Sequence, residues 1–393
     1  MNQPRTALSL FSGCGGDTLG LTRAGFKVVA FNEYNKAAIQ SHLENFPDST
    51  LLLDPVSKAV DITKVPDSVF EPYKNRTNLV FAGFPCQGFS KAGKKKVSDP
   101  RNQMYNHFVR VVKVTKPEFL IGENVPGLIK MKSGPKEDDP FMLELIQKAF
   151  KEIGYETTYN VLEATEFGVP QKRKRLLLIG WDATRVPQFE PTSFWASVSN
   201  WGSQQTMPLL RSFVTTNMEG AYELAEGEVP EGFRQVALPL PYDGSRHTTG
   251  PEPSGKPHPF VVLKAKEKLL SCSKRVSPIH SEIIDLDKPS KTIICTYDHQ
   301  PRLLVGAYKA DSRCFVRTLL PDELKQIQGF PSDYKVLGNQ KEQVVQIGNA
   351  VPPALVTGAA FILRSYLEPI VEETSSRIPL ESGKRKKQKR SIA

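Results

Sequence analysis

The sequence predicts an α/β fold in which a doubly wound sheet is joined to a smaller domain built mostly of strands and loops. Three observations lead there. Short apolar runs alternate with segments of helical period. Residues suited to chemistry follow directly after those runs, where ligands bind in open α/β sheets. From Val186 to about Arg317 sustained helical period gives way to a texture rich in proline, glycine and serine.

The elements follow in order. Residues 8–11 read as a buried strand, Ser12-Gly13-Cys14-Gly15-Gly16-Asp17 as a glycine-rich turn, and 19–24 as the start of a helix. Residues 27–31 form the next strand and end in Asn32-Glu33, so that Glu33 stands where a carboxylate meets the ribose hydroxyls of a bound nucleoside. Tyr34 beside it is placed to stack on a base. The glycines do not form GxGxxG, which points to a single nucleoside rather than a dinucleotide. Asp61-Ile62 is expected at a third strand tip. Residues 78–82 are a strand, 119–122 another that ends in Glu123-Asn124, 141–150 an amphipathic helix, 158–162 a strand, and 176–179 a buried strand preceded by Gln171-Lys172-Arg173-Lys174-Arg175. Helical pattern returns at 321–328, and 346–353 is expected to open a helix through Tyr366. The predicted organisation is a catalytic and cofactor domain over 1–185, a target-recognition domain over 186–317, a hinge over 318–337, a return to the first domain over 338–372 and a disordered basic tail over 373–393.

The stretch 82–90, Ala-Gly-Phe-Pro-Cys-Gln-Gly-Phe-Ser, places Cys86 in a turn between Gly83 and Gly88. A thiol near its free pKa is only a few per cent ionised at neutral pH, so chemistry at Cys86 needs partners from elsewhere in the chain. The five cysteines, Cys14, Cys86, Cys272, Cys295 and Cys314, are odd in number, far apart and never in a CxxC pair. They read as free thiols, with no disulfide framework and no metal site. With 39% apolar residues, no leader pattern and no apolar run of bilayer length, the expectation is an intracellular protein without a membrane span. The net charge of +10 favours an acidic partner such as nucleic acid. Six of those charges sit in the tail at 384–390, which leaves about +4.

The ordered set of motifs resembles the cytosine-C5 DNA methyltransferases. Phe11-Ser12-Gly13-Cys14-Gly15-Gly16, Asn32-Glu33, Pro85-Cys86-Gln87, Glu123-Asn124-Val125, Gln171 to Arg175, Pro289-Ser290-Lys291-Thr292-Ile293, Gln328-Gly329-Phe330-Pro331 and Gln346-Ile347-Gly348-Asn349 stand in the family's order. The likeness covers about 5–185 and 287–368. Val60 stands before Asp61 where the family often has glycine, which puts that cofactor contact in doubt.

The resemblance implies a Rossmann-like class I methyltransferase sheet and transfer of a methyl group from S-adenosylmethionine to C5 of a flipped-out cytosine in duplex DNA, leaving S-adenosylhomocysteine. Cys86 would add to C6, Glu123 would serve N3, Arg175 would donate to O2, and Arg173 would help to fix Glu123 or its loop. It further implies a cofactor site from Phe11, Ser12, Gly13, Gly15, Gly16, Glu33, Tyr34, Asp61, Ile62, Pro85, Met104, Asn349 and Val351. DNA contacts would come from Ser90, Lys94 and Arg101 on a loop closing over the base. No metal is implied, the partner is double-stranded DNA, and the expected state is a monomer. The setting is that of restriction-modification, with a nuclear location only if the host is eukaryotic and the tail serves as a signal. Taken singly, several residues have blander readings: Lys94 as a solvated loop residue, Glu33 as an exposed strand end, Arg173 and Arg175 as an edge-protecting pair, and Asn349 as a helix cap. Trp195 and Trp201 are expected in the core of the smaller domain. The alternatives are an RNA cytosine-C5 methyltransferase on the same fold, against which no Cys-Phe-Thr tripeptide is found, and a catalytically silent DNA-binding protein.

Overall fold

The structure, a computed structural model, describes residues 5–85, 103–240 and 251–367. Among these residues a first sheet runs β3-β2-β1-β4-β5-β8-β6, with β1 Arg5–Leu10, β2 Phe26–Asn32, β3 Thr50–Leu51, β4 Leu79–Ala82, β5 Phe119–Asn124, β6 Tyr155–Glu163 and β8 Lys174–Asp182. Strands β1 to β5 pair in parallel, and β8 runs antiparallel between β5 and β6. Its helices are α1 Gly16–Arg23, α2 Lys36–Asn45, α3 Tyr105–Thr115, α4 Met142–Glu152, α5 Pro191–Ser203, α9 Gln340–Asn349 and α10 Pro353–Ser365.

The central strands are apolar without a break because both of their faces are covered. Strand alternation divides their residues between two cores. Phe119, Ile121, Leu177 and Ile179 point to one side, where Leu21 of α1, Phe194 and Val198 of α5, and Leu355, Val356 and Ala359 of α10 pack. Leu120, Leu176 and Leu178 point to the other, against Phe108 and Val112 of α3 and Ile146 and Phe150 of α4.

A second sheet, β11-β12-β14-β15-β9 with β10 alongside β14, holds β9 Tyr222–Leu224, β10 Leu238–Pro239, β11 Leu270–Cys272, β12 Ser281–Ile283, β14 Leu303–Tyr308 and β15 Cys314–Thr318. The short helices α6 Phe233–Val236 and α7 Pro259–Lys266 contribute to its core through Phe233, Val236, Val261 and Ala265. A two-stranded ladder, β7 Gln171–Lys172 with β13 Ser290–Lys291, links the two regions. The helix α8, Pro321–Ile327, lies in the segment expected to act as a hinge. Its Leu324 and Ile327 share a core with Ile293, Leu303, Val344 and Ile347, so that segment is packed on both sides.

Four expectations are corrected. The change of texture at Val186 is not a change of core: Val186, Phe189 and α5 pack on the first sheet, and Trp195 and Trp201 lie against that core rather than in the smaller domain. Pro191 at the first helical turn and the Glu190 carboxylate, which accepts from the Thr192 and Ser193 amides, start α5 where composition alone suggested loop. Asp61 and Ile62 sit in a turn beyond the two-residue strand β3, not at a strand tip. Residues 346–349 close a helix rather than open one. Asn339 and Glu342 form a capping box that starts α9, and Pro352-Pro353 then break and restart the chain as α10. The span Gln340–Ser365, shared by α9 and α10, contains an 18-residue stretch apolar enough for a membrane helix, but two thirds of that stretch is buried in the fold.

Gly348 of α9 tests how closely this return segment is packed. A Cβ there would stand 2.5 Å from the Cys295 amide nitrogen and 2.6 Å from the Ile294 carbonyl carbon, both backbone atoms that cannot swing aside. Helix propensity alone predicts that Gly348→Ala stabilises by about 1 kcal/mol. The backbone overlap reverses the sign, and a loss of roughly 1 to 3 kcal/mol is expected. Urea denaturation checks it, and a gain in stability would refute the close approach.

Candidate functional site

The site gathers at the C-terminal edge of β1, β2, β4 and β5. After β1, Phe11 takes φ 54° and Gly13 and Gly15 take 54° and 89°, so the chain turns left-handed three times within five residues before α1 begins. Glycine is required at two of the following positions for space as well. A Cβ on Gly15 would meet the Tyr334 hydroxyl at 2.8 Å, and one on Gly16 would meet the Val351 carbonyl oxygen at 2.6 Å. Above Gly13 nothing lies within 4 Å of a Cβ position, so the loop is open on one side and closed by the return segment on the other.

Glu33 follows β2 and is not an exposed strand end. Its carboxylate is 7% exposed and accepts from the Gly13 amide at 2.9 Å and from the Tyr34 and Asn35 amides at 2.8 Å each. Burial pushes its pKa up, against the pull of those three amides. The glycine loop and the strand tip thus form one unit. Tyr34 stands 73% exposed next to it. Ser12 is buried with no partner for its hydroxyl among the described residues, although its amide donates to the Asn32 carbonyl. An open glycine loop, an orphaned buried hydroxyl, a carboxylate and a free aromatic face suit a nucleoside carrying an amino-acid arm, so the residues fit S-adenosylmethionine. Ile62 is buried and Met104 packs on the core under α3, while Asp61 is exposed and caps its own turn by accepting from Thr63. Asn349, the last residue of α9, is exposed and does not cap α10, whose N-cap is Pro352.

The second half of the site is Glu123 with Arg175. Glu123 ends β5 and Arg175 lies on β8, and the Arg175 Nε stands 2.7 Å from Glu123 Oε1 with both side chains nearly buried. Burial pushes the Glu123 pKa up, while Arg175 and then Arg173 pull it back. A carboxyl held above its ordinary range by burial keeps its proton more readily than a solvated one. A Cβ placed on Gly83 would lie 3.7 Å from Glu123 Oε2 and 3.8 Å from the Phe11 carbonyl oxygen, so the glycine loop, the end of β4 and Glu123 converge. Asn124 donates from Nδ2 to the Phe84 carbonyl at 3.2 Å, which ties β5 to the segment that leads through Pro85 towards Cys86. Cys86, Ser90, Lys94 and Arg101 lie outside the described residues, as does the basic tail.

Arg173 acts on Glu123 through its charge and makes its hydrogen bonds to Ile293 and the return segment. It is 1% exposed and donates to the carbonyls of Ile293 at 2.9 Å, Gly348 at 2.9 Å and Ala350 at 3.0 Å, with no hydrogen bond to Glu123. Arg175 lies on the inner strand β8 and Arg173, between β7 and β8, is buried against those carbonyls, so neither arginine protects a sheet edge. Gln171 and Gln328 complete its network: Gln171 accepts from the Ile293 amide and donates to Gln328, which donates to the Ala350 carbonyl. The part played by these two glutamines was missed, although a glutamine beside an apolar strand is the signal that could have shown it.

Asp17, which the sequence did not single out, is a buried carboxyl near this site. It lies in the first turn of α1, 2% exposed, and accepts a hydrogen bond from the Ser9 hydroxyl. Burial pushes its pKa up to about 7. Burial raises the Cys14 thiol to about 12, and partial burial raises that of Cys272 to about 11. Among the described residues no cluster of acidic, histidine and cysteine side chains could hold a metal ion.

Replacing Arg173 by Met should cost about 3 kcal/mol or more, because three buried carbonyls lose their donors at about 1 to 3 kcal/mol each. Arg175→Met should cost less, since only one carboxylate loses its partner and protonation can relieve it. Urea titrations of the two variants check the order, and equal costs would contradict the network.

Comparison with known proteins agrees with this geometry. The family model described as C-5 cytosine-specific DNA methylase matches residues 6–361. The type II methyltransferase M1.HphI of Haemophilus parahaemolyticus is 31% identical over 367 residues, covering 90% of this chain and 85% of that protein. The type II methyltransferase M.Eco47II of Escherichia coli is 30% identical over 364 residues, covering 89% and 76%. Among solved structures, the Entamoeba histolytica methyltransferase EhMeth aligns with TM-score 0.60 at 15% identity, over 93% of this chain and 98% of that one. A putative DNA modification methyltransferase encoded within an Escherichia coli prophage aligns with TM-score 0.59 at 20% identity, over 92% and 99%. At those identities the two structures bear on the fold alone. The curated relatives named here are bacterial and lend no support to a nuclear location.

Proposed function

Because the chain belongs to the C-5 cytosine-specific DNA methylase family, and is a DNA (cytosine-5-)-methyltransferase, we propose that it acts on a cytosine flipped out of duplex DNA through a covalent bond from Cys86 to C6. S-adenosylmethionine, when bound, supplies the electrophilic methyl group. C5 of cytosine is a poor nucleophile, and addition of a thiolate at C6 moves the ring electrons towards C5, N3 and O2. Glu123 gives its proton to N3 as that charge develops, which is the task of a buried carboxyl whose pKa is raised. Arg175, already against Glu123, keeps it oriented and is placed to donate to O2. Once C5 carries the methyl group, its proton passes to water, the C5–H electrons reform the C5–C6 double bond and expel the Cys86 thiolate, and the N3 proton returns to Glu123. A base inside a duplex cannot reach a pocket formed at strand ends, so flipping is part of the reading.

The observation that carries the proposal is the convergence of the Glu123–Arg175 pair, the glycine loop and Gly83, with Asn124 holding the segment that leads to Cys86. Cys14 and Cys272 are disfavoured as nucleophiles, because burial keeps both as thiols. The cofactor would rest on the glycine loop with Glu33 at the ribose and Tyr34 at the base. Ser90, Lys94 and Arg101 remain the proposed contacts to DNA. The test uses duplex DNA in which the target cytosine is 5-fluorocytosine. Fluorine cannot leave as a proton does, so a complex that survives denaturing electrophoresis should form when cofactor is present. Cys86→Ser should abolish the complex and keep DNA binding. Glu123→Gln should slow trapping by roughly 100-fold to 10,000-fold. A covalent complex that persists in Cys86→Ser would refute the mechanism, and trapping on RNA but not DNA would move the substrate.

A further inference from the structure

A carboxyl group buried without a cation is costly, and its cost in a native fold calls for an explanation. Asp17 is such a group. It is 2% exposed, and none of the ion pairs among the described residues includes it. Its neighbours are neutral or acidic: the Ser9 hydroxyl from β1, the Thr18 amide from its own helix, the Cys14 thiol from the glycine loop, Tyr334 from the segment after α8, and the Glu123 carboxyl from β5. The cations of the packed helices are elsewhere. Arg23 lies at the far end of α1, and Arg364 of α10 donates to the Ala24 carbonyl beyond that end. Helix polarity explains an acidic residue in a first turn, but that effect is served as well by a solvated side chain and does not require burial.

The position suggests what arrives. Asp17 follows the glycine loop directly, and it lies near enough to Glu123 for the two charges to repel. It therefore adjoins both the loop proposed for the cofactor and the carboxyl proposed for the base. A methyl group that passes from one to the other starts there, on a sulfonium that is cationic before transfer and a neutral thioether after it. We propose that Asp17 determines cofactor specificity, favouring S-adenosylmethionine over S-adenosylhomocysteine by answering the sulfonium charge. The inference rests on the cofactor reading given above.

Two consequences follow. Product release is helped, because the charge that Asp17 answers disappears with the methyl group. Binding is also linked to protons. With its pKa near 7 in the free protein, Asp17 is largely neutral below that pH. A cation beside it favours the carboxylate, so the Asp17 carboxyl gives its proton to the solvent as S-adenosylmethionine binds. Above about pH 8 the group is already ionised and no proton is released.

Calorimetry on the whole chain, without DNA, tests this at pH 6.5 in two buffers of different ionisation enthalpy. S-adenosylmethionine should release protons and S-adenosylhomocysteine should not. Sinefungin, which carries an ammonium group where the sulfonium stands, should behave as S-adenosylmethionine does. In Asp17→Asn, which keeps the size of the side chain and an acceptor for Ser9, the affinity for S-adenosylmethionine should fall roughly 5-fold to 100-fold, and that for S-adenosylhomocysteine by less than about 3-fold. Proton release should vanish in the variant, which separates Asp17 from Glu123. Equal losses for both ligands would overturn the proposal, since they would mean that Asp17 meets the amino group common to both or only supports the loop. Equal proton release by both ligands in the unaltered protein would overturn it even if the variant failed to fold. If neither ligand bound the unaltered protein, the cofactor reading itself would fall.

Discussion

One buried guanidinium holds the architecture of the site in place. Arg173 has lost its water, and a cation in that position is tolerable only where carbonyl oxygens replace the solvent. Three do, from Ile293, Gly348 and Ala350, residues more than a hundred positions away in the chain. Once Gly348 and Ala350 are held, Val351 is held, and its carbonyl lies where only a glycine at position 16 leaves room. Tyr334 closes the same loop from another side by donating to the Cys14 carbonyl. The glycine loop is thus shaped by a segment that the chain supplies more than three hundred residues later.

Three carboxyl groups of this site show how surroundings, rather than residue type, decide chemistry. Glu33 is buried but takes three backbone amides, which offset part of what burial costs and make it part of the loop. Glu123 is buried against Arg175, an arrangement that leaves its proton negotiable. Asp17 accepts from the Ser9 hydroxyl and from backbone amides of its own helical turn but has no cation among the described residues, and burial prevails. A scaffold rigid enough to maintain these differences is needed, and the two-sided packing of the central strands provides it.

The smaller region is not an appendage. The β7–β13 ladder, the Gln171–Gln328 bond and the buried Arg317–Glu323 pair, at 2.8 Å, all join elements that the sequence places far apart or assigns to different units. Leu324 and Ile327 pack with residues from both sides of the expected hinge. Movement of that region as a body would have to preserve or break these contacts together.

By itself the sequence determined the strands at 8–11, 27–31, 78–82, 119–122 and 176–179, the helix at 141–150, and the order of motifs that points to the family. These are local properties: a continuous apolar run, a 3.6-residue period or a glycine turn is written in consecutive residues. Through the likeness it also supplied Glu123 and Arg175 as site residues, while their pairing with each other was decided by the structure. Only the tertiary structure decided what Arg173, Gln171 and Gln328 bind, that Trp195 and Trp201 belong to the first core, that Asn349 ends a helix, and that Asp17 is buried without a cation. Each of those facts depends on a partner far off in the chain or on which face of an element is covered, and neither is encoded in the spacing of neighbouring residues.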